Sequence, residues 1–200
     1  MTTAKAETLS DASPARRENL IAWLGLSCMA AALLSSVLNS IWELARPILA
    51  DPQTFASAPP AQLWGHSILE VIKSAGFLAG LFGFYICATK HGPVTKVFMV
   101  LAVLGGIFYA GVWVWLAAAT RFTQIYVLGG MWYQMIAPVA LGVAALFARR
   151  VSWWKGAWAI VVGVVNSQIF PLLGPAKALF VQGIIWLVFG YLVYGFRRRA

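Results

Sequence analysis

Apolar residues run along this chain in six long stretches separated by short polar gaps, with little of the alternation that half-buried strands or surface helices would show. The stretches are Leu20 to Trp42, Trp64 to Thr89, Thr95 to Ala119, Ile125 to Ala148, Gly156 to Leu173 and Pro175 to Phe196. Each is close to the 20 residues that an α-helix needs to cross about 30 Å of hydrocarbon. The pattern predicts an all-α integral membrane protein, a bundle of six transmembrane helices, preceded by a polar tail at residues 1–19 and followed by a basic end at 197–200. Short connections predict that consecutive helices pack as antiparallel neighbours. The exception is the stretch from Glu43 to Leu63. Its four prolines, Pro47, Pro52, Pro59 and Pro60, interrupt any helix and leave room for one short turn.

Charge orients the bundle. Of the 15 Lys and Arg residues, eleven fall before the first stretch (Lys5, Arg16, Arg17), after the second (Lys90, Lys96), after the fourth (Arg149, Arg150, Lys155) and after the sixth (Arg197, Arg198, Arg199). Only Arg46, Arg121 and Lys177, the last at the very start of the sixth stretch, lie toward the opposite side, and Lys73 lies deep inside a stretch. Short loops rich in Lys and Arg resist translocation, so both termini are expected in the cytoplasm, the host membrane being the cytoplasmic membrane of a bacterium. At 61% hydrophobic and 10% charged, the chain departs far from soluble domains, where roughly a quarter of residues are charged. The net charge of +9 therefore points to lipid headgroups and membrane insertion rather than to a nucleic-acid partner. A cleaved signal peptide ending near Ala30 to Ala32 is disfavoured, because the first apolar run exceeds a signal core in length. Residues 1–19 read as a disordered or amphipathic extension.

Chemistry is sparse. Cys28 and Cys87 have no metal-ligand spacing and both fall toward the cytoplasmic side, so neither a zinc site nor an exported-side disulfide is expected. No metal and no cofactor is indicated. Eight of the ten tryptophans, Trp113 among them, fit the interfacial belts of membrane proteins, and only Trp132 and Trp186 lie deeper. Gly76, Gly80 and Gly83, with Gly105, Gly106 and Gly111, supply small-residue strips for close helix packing.

The informative residues are His66, Glu70 and Lys73. Helical geometry puts them within an arc of about 60°, as one stripe continued by Phe77. Counted from Trp64, Glu70 lies about 9 Å and Lys73 about 14 Å below the outer edge, a depth at which charges should face the bundle interior. Glu70 and Lys73, at i and i+3, can neutralise each other with His66 beside them. Uncharged polar groups gather at similar depth: Asn39 and Glu43 at the end of the first stretch, Tyr126, Tyr133 and Gln134 in the fourth, Asn166, Ser167 and Gln168 in the fifth, and Lys177 and Gln182 at the start of the sixth. The inner halves are almost wholly apolar, which predicts a polar cavity open to the outer side. Pro138 and Pro171 each free a backbone carbonyl near that depth, that of Gln134 and that of Ser167. Residues 166 to 168 sweep 200° of helix, so the fifth stretch must be surrounded by protein or locally unwound.

Three functions fit. The first is a small transporter or permease component in which Glu70, with His66, takes a proton or cation, while Lys73, Asn39, Gln134, Asn166, Gln168 and Gln182 surround a small solute. The second is an intramembrane enzyme acting on a lipophilic substrate such as a lipid or isoprenoid, with Glu70 or Glu43 as general acid and His66 as proton partner. Here Asn39-Ser40-Ile41-Trp42-Glu43 resembles the N-x-x-W-E stretch of membrane-bound terpene cyclases, and His66-x-x-x-Glu70 is similar to the acid/base pair of sterol isomerase-type proteins. Each resemblance covers five residues, and the second carboxylate that the cyclases carry in a late span has no counterpart in Pro175 to Phe196. The third is an accessory or scaffold subunit, in a homo-oligomer or with a partner membrane subunit, whose buried polar groups fix helix packing. Non-enzymatic function is favoured.

Overall fold

The computed structural model describes residues 14–49, 51–121, 123 and 125–196, with the side chains of 14, 126, 168, 170 and 171 outside the description. Among these residues every regular element is helical. The first rod is α1 (Pro14–Ala31), a π-helical turn at Ala32–Val37, and α2 (Leu38–Ala45). After it come α3 (Pro52–Ser57), α4 (Pro60–Ala88) and α5 (Pro93–Ala119). The next rod is α6 (Tyr126–Gly130), a second π-helical turn at Met131–Ile136, and α7 (Ala137–Ala148), followed by α8 (Trp153–Leu173) and α9 (Pro175–Tyr194). Five helices are long and apolar enough to cross a membrane: Ala15–Ala45, Pro60–Ala88, Pro93–Ala119, Val127–Ala148 and Pro175–Tyr194. The chain is thus consistent with a polytopic α-helical membrane protein in a lipid bilayer. At 21 residues α8 is comparable in length but is not among the five.

The ends are set by local chemistry. Pro52, Pro60, Pro93 and Pro175 each occupy the first helical position, where a missing N–H costs no hydrogen bond. Between α8 and α9 the chain reverses at Gly174, whose φ of 72° is open to glycine and strained for other residues. Thr120 and Arg149, both at φ 51°, close α5 and α7 in left-handed conformation. The first rod begins at Pro14, so the end of the polar tail is helix, with Ala15 to Asn19 exposed. The rest of that tail and residues 197–200 lie outside the described residues.

Neighbouring rods follow chain order and then close on themselves: α1 packs on α4, α4 on α5, α5 on α6 and α7, α7 on α8, α8 on α9, and α9 back on α1. Glycines permit the closest approaches. A Cβ on Gly190 would stand 2.9 Å from the carbonyl oxygen of Gly25, and one on Gly76 would press on Ser27 and Ala31. Gly142 lies equally close to α8, under the carbonyl of Gly156. Gly80 and Gly83 pack as their spacing suggests, against Cys28, Phe189, Val193 and Leu24, whereas Gly111 faces open space and belongs to no packing strip. Cys28 and Cys87 are free thiols.

One end of the bundle gathers Arg16, Arg17, Lys90, Lys96, Arg149, Arg150 and Lys155. There Arg150 donates to the carbonyl of Thr89 at 3.2 Å, and Lys155 lies 4.3 Å over the Phe196 ring. The opposite end is covered by the Glu43–Pro60 connection. Asp51 caps α3 by accepting from the backbone N–H groups of Gln53 and Thr54, each at 2.8 Å, and Phe55 and Ile48 anchor the connection in the core.

Candidate functional site

Glu70 is the hub. It is 1% exposed in the middle of α4, and its carboxylate meets groups from three rods. One oxygen, Oε2, pairs with Lys73 Nζ and accepts from Tyr109 OH of α5; the other, Oε1, accepts from Asn39 Nδ2 of α2 at 3.0 Å. The i, i+3 spacing brings the ammonium to the carboxylate, as the stripe requires. His66 Nε2 stands 3.9 Å from Oε1, beyond hydrogen-bond reach, and its ring lies 4.8 Å from that of Trp113.

A second, neutral cluster centres on Gln182 of α9, which is fully buried. Its Nε2 donates to Gln134 Oε1 and to Asn166 Oδ1, both at 2.8 Å. Gln134 Nε2 in turn donates to the hydroxyl of Tyr133, and Asn166 Nδ2 to the carbonyl of Val162 at 2.7 Å. The two clusters touch through aromatic rings: Tyr109 and Tyr133 meet edge to face at 5.4 Å. Below both, toward the basic end, Phe77 stacks on Trp186 at 4.1 Å and 8°.

The bundle therefore brings together His66, Glu70, Lys73 and Asn39, and separately Gln134, Asn166 and Gln182. Gln168 lies outside the described side chains. Glu43 is 5% exposed but occupied elsewhere: its carboxylate accepts from the backbone N–H groups of Ile48, at 3.1 Å, and Leu49, at 2.8 Å. That engagement ties the connection above the bundle to the end of α2. Lys177 is exposed.

The expected cavity open to the outer side is not what these side chains form. They close on one another, each 5% exposed or less, because partners on neighbouring helices are near enough to replace water. A recess of about 260 Å³ is lined by apolar residues of α5, α6 and the second π turn, including Leu104, Phe108 and Trp132, and by none of these polar groups. Residues 166 to 168 cause no unwinding: α8 is continuous, Asn166 turns inward, and Ser167 donates to its own helix at Val164.

Composition and spacing left three participants unseen. Tyr109 sits in an apolar run and is found only through its hydroxyl contact with Glu70. Trp113, placed in an interfacial belt by its sequence position, is 2% exposed beside His66. Ser36 is drawn into the core by the first π turn, which shifts the helical phase between Ala31 and Leu38. Both π turns lie on rods that face Glu70 or Gln182. Ala137 and Pro138 follow the second, so the carbonyl freed by Pro138 falls within it. No family model, curated protein or solved structure matches this chain.

Proposed function

We propose that this chain is a six-span protein of a bacterial cytoplasmic membrane, with both termini inside, that works as a small proton- or cation-linked transporter component with Glu70 as its ion site. The sixth span is α8, whose 21 residues reach about 31 Å and which closes the ring between α7 and α9. The observation that carries the function is the convergence of Lys73, Tyr109 and Asn39 on one carboxylate buried between three rods. A charge pair in a span is costly to insert, and apolar residues in its place would stabilise packing at least as well. Its lysine acts as a built-in counter-cation that an incoming proton or cation displaces, and the closed polar clusters correspond to an occluded state. His66, within ion-pair distance, is the group through which a proton would approach.

The test uses purified protein in liposomes holding a pH-sensitive dye, challenged with gradients of sodium, potassium, lithium and small amines. Wild type should change the internal pH with at least one of these, and Glu70→Gln should be silent. Silence of the wild type across the set, or full flux in the Glu70→Gln/Lys73→Met double variant, sinks the reading. Membrane orientation has its own check: cysteines at Ser57 and Arg121 should label from outside, and one at Ser152 only after permeabilisation.

A scaffold role is the second reading, favoured by the amide-to-amide hydrogen bonds that tie Gln182 of α9 to Gln134 and Asn166 on neighbouring rods. The intramembrane enzyme ranks below both, since Glu43 is held by the backbone and, among the described residues, the apolar recess beside Trp132 is not lined by Glu70.

A further inference from the structure

Contacts between α1–α2, α4 and α9 fix which residues share a level. Phe77 stacks on Trp186, Gly80 lies against Phe189 and Gly83 against Val193, so α4 and α9 run parallel with their register kept to within one residue. One turn earlier on each helix, Lys73 therefore stands opposite Gln182. The first rod runs the other way, with Gly76 against Ala31 and Glu70 bonded to Asn39, which sets Lys73 beside Ser35 and Ser36. From the side of α9, Gly183 lies against Ser36 and Val37, in agreement.

Three buried oxygens at this level have no hydrogen-bond partner: Ser36 Oγ, Gln182 Oε1 and, one turn away, Asn39 Oδ1. None can be relieved by exchanging an amide's oxygen and nitrogen. Gln182 Nε2 is held by two amide oxygens, Gln134 Oε1 and Asn166 Oδ1, and Asn166 is itself oriented by donating to Val162. Asn39 Nδ2 is held by the Glu70 carboxylate. Ser35 spends its hydroxyl on the carbonyl of Ala31, while the neighbouring Ser36 does not bond back to its helix. The one group at this level with several hydrogens to give is the Lys73 ammonium, which carries three on a flexible four-carbon stem and pairs with Glu70.

We infer that Ser36 Oγ, Asn39 Oδ1 and Gln182 Oε1 form a second ammonium site, built from neutral oxygens, that receives Lys73 when Glu70 is neutralised. This rests on the reading of Glu70 as the group that takes the proton or cation. A proton arriving at a Glu70 oxygen removes the negative charge, Lys73 keeps its three protons, and the ammonium swings to these unpartnered acceptors. The titratable groups facing it are Glu70 and His66 from α4, Tyr109 from α5 and Tyr133 from the second π turn; the first rod and α9 present neutral side chains at this level. Exchange between two seats explains how a lysine can leave a buried carboxylate without being exposed to lipid.

A double-mutant cycle read by thermal unfolding in detergent decides it, because Ser36→Ala alone removes a hydroxyl that wild type leaves unpartnered. In wild type it should leave Tm unchanged or raise it. In Glu70→Gln, where Lys73 has moved to the second seat, it should lower Tm by several degrees, and in Glu70→Gln/Lys73→Met it should again be neutral. The same shift in all three backgrounds overturns the proposal. Should Glu70→Gln fail to fold, the Tm of Ser36→Ala is followed relative to wild type as pH is lowered; it should fall below that of wild type, and a constant difference overturns the second seat. Coupling without flux in liposomes would remove the transport reading and keep the seat, whereas flux without coupling would do the reverse.

Discussion

The same three rods, α1–α2, α4 and α9, meet twice along their length with different chemistry. Toward the basic end α4 and α9 meet through Phe77, Trp186, Phe84 and Phe189, rings 4.1 to 5.3 Å apart, and α1 closes on them through Cys28. Toward the capped end they meet through Asn39, Glu70, Lys73 and Gln182. The aromatic half depends on volume and shape, so its contribution should be indifferent to pH and salt. The polar half depends on which partner each group has, so removing one partner costs more than removing both. One half fixes the frame while the other carries the Glu70–Lys73 charge pair.

The largest effects should come from breaking each half. Lys73→Met leaves Glu70 without a counter-charge and should cost about 3–5 kcal/mol, while Glu70→Gln/Lys73→Met should return to within about 1 kcal/mol of wild type, measured by unfolding in mixed micelles. Glu70→Gln alone should cost less than Lys73→Met, because the ammonium has other oxygens to reach; equal costs would erase that asymmetry. Phe77→Ala should cost about 3–5 kcal/mol through the cavity it opens beside Trp186, with the same value at pH 5 and pH 8. A strong pH dependence there would mean that the two halves do not act separately.

Smaller effects sharpen the frame. Gly76→Ala should destabilise by about 1–3 kcal/mol, since the new methyl meets Ala31 and the Ser27 carbonyl. Gly111→Ala, in open space within α5, should instead stabilise by about 0.5–1 kcal/mol through helix propensity. The smallest effect is at the surface. Asp51 is fully exposed, and its hydrogen bonds with Thr54 hold its carboxyl below the usual range. Because the folded value is depressed, its support for α3 is present above about pH 4 and is lost as pH falls through that lowered value. Amide exchange at Gln53 and Thr54 should therefore rise in acid before the rest of the chain responds, and Asp51→Ala should remove that pH step.

Helices, their order and the Glu70–Lys73 pairing were legible because length, hydropathy and i, i+3 spacing are local properties. What the polar groups do with one another was not. An Asn, a Gln and a Tyr at similar depth are equally compatible with a wet cavity and with a closed cluster, and only helix rotation chooses. Trp113 and Tyr109 show the same limit, since depth along a span says nothing about which side faces inward. Ser36 is harder still: its inward direction depends on a π turn at Ala32–Val37 that Ala-Leu-Leu-Ser-Ser-Val does not announce.

The contact of Gly25 with Gly190 joins α1 to α9, the two ends of the described order of helices. Until α9 emerges, the face of α1 carrying Gly25 and Met29 has no protein neighbour, and lipid or a chaperone must cover it. Closure of the ring is consequently a non-sequential step, which waits for α9 to pack back on α1. The same closure sets Tyr194, at the end of α9, beside Gly25 within α1, so a linker long enough to run back along α1 to its start, with new ends opened at the exposed Thr120–Arg121 turn, should give a circular permutant that keeps the fold.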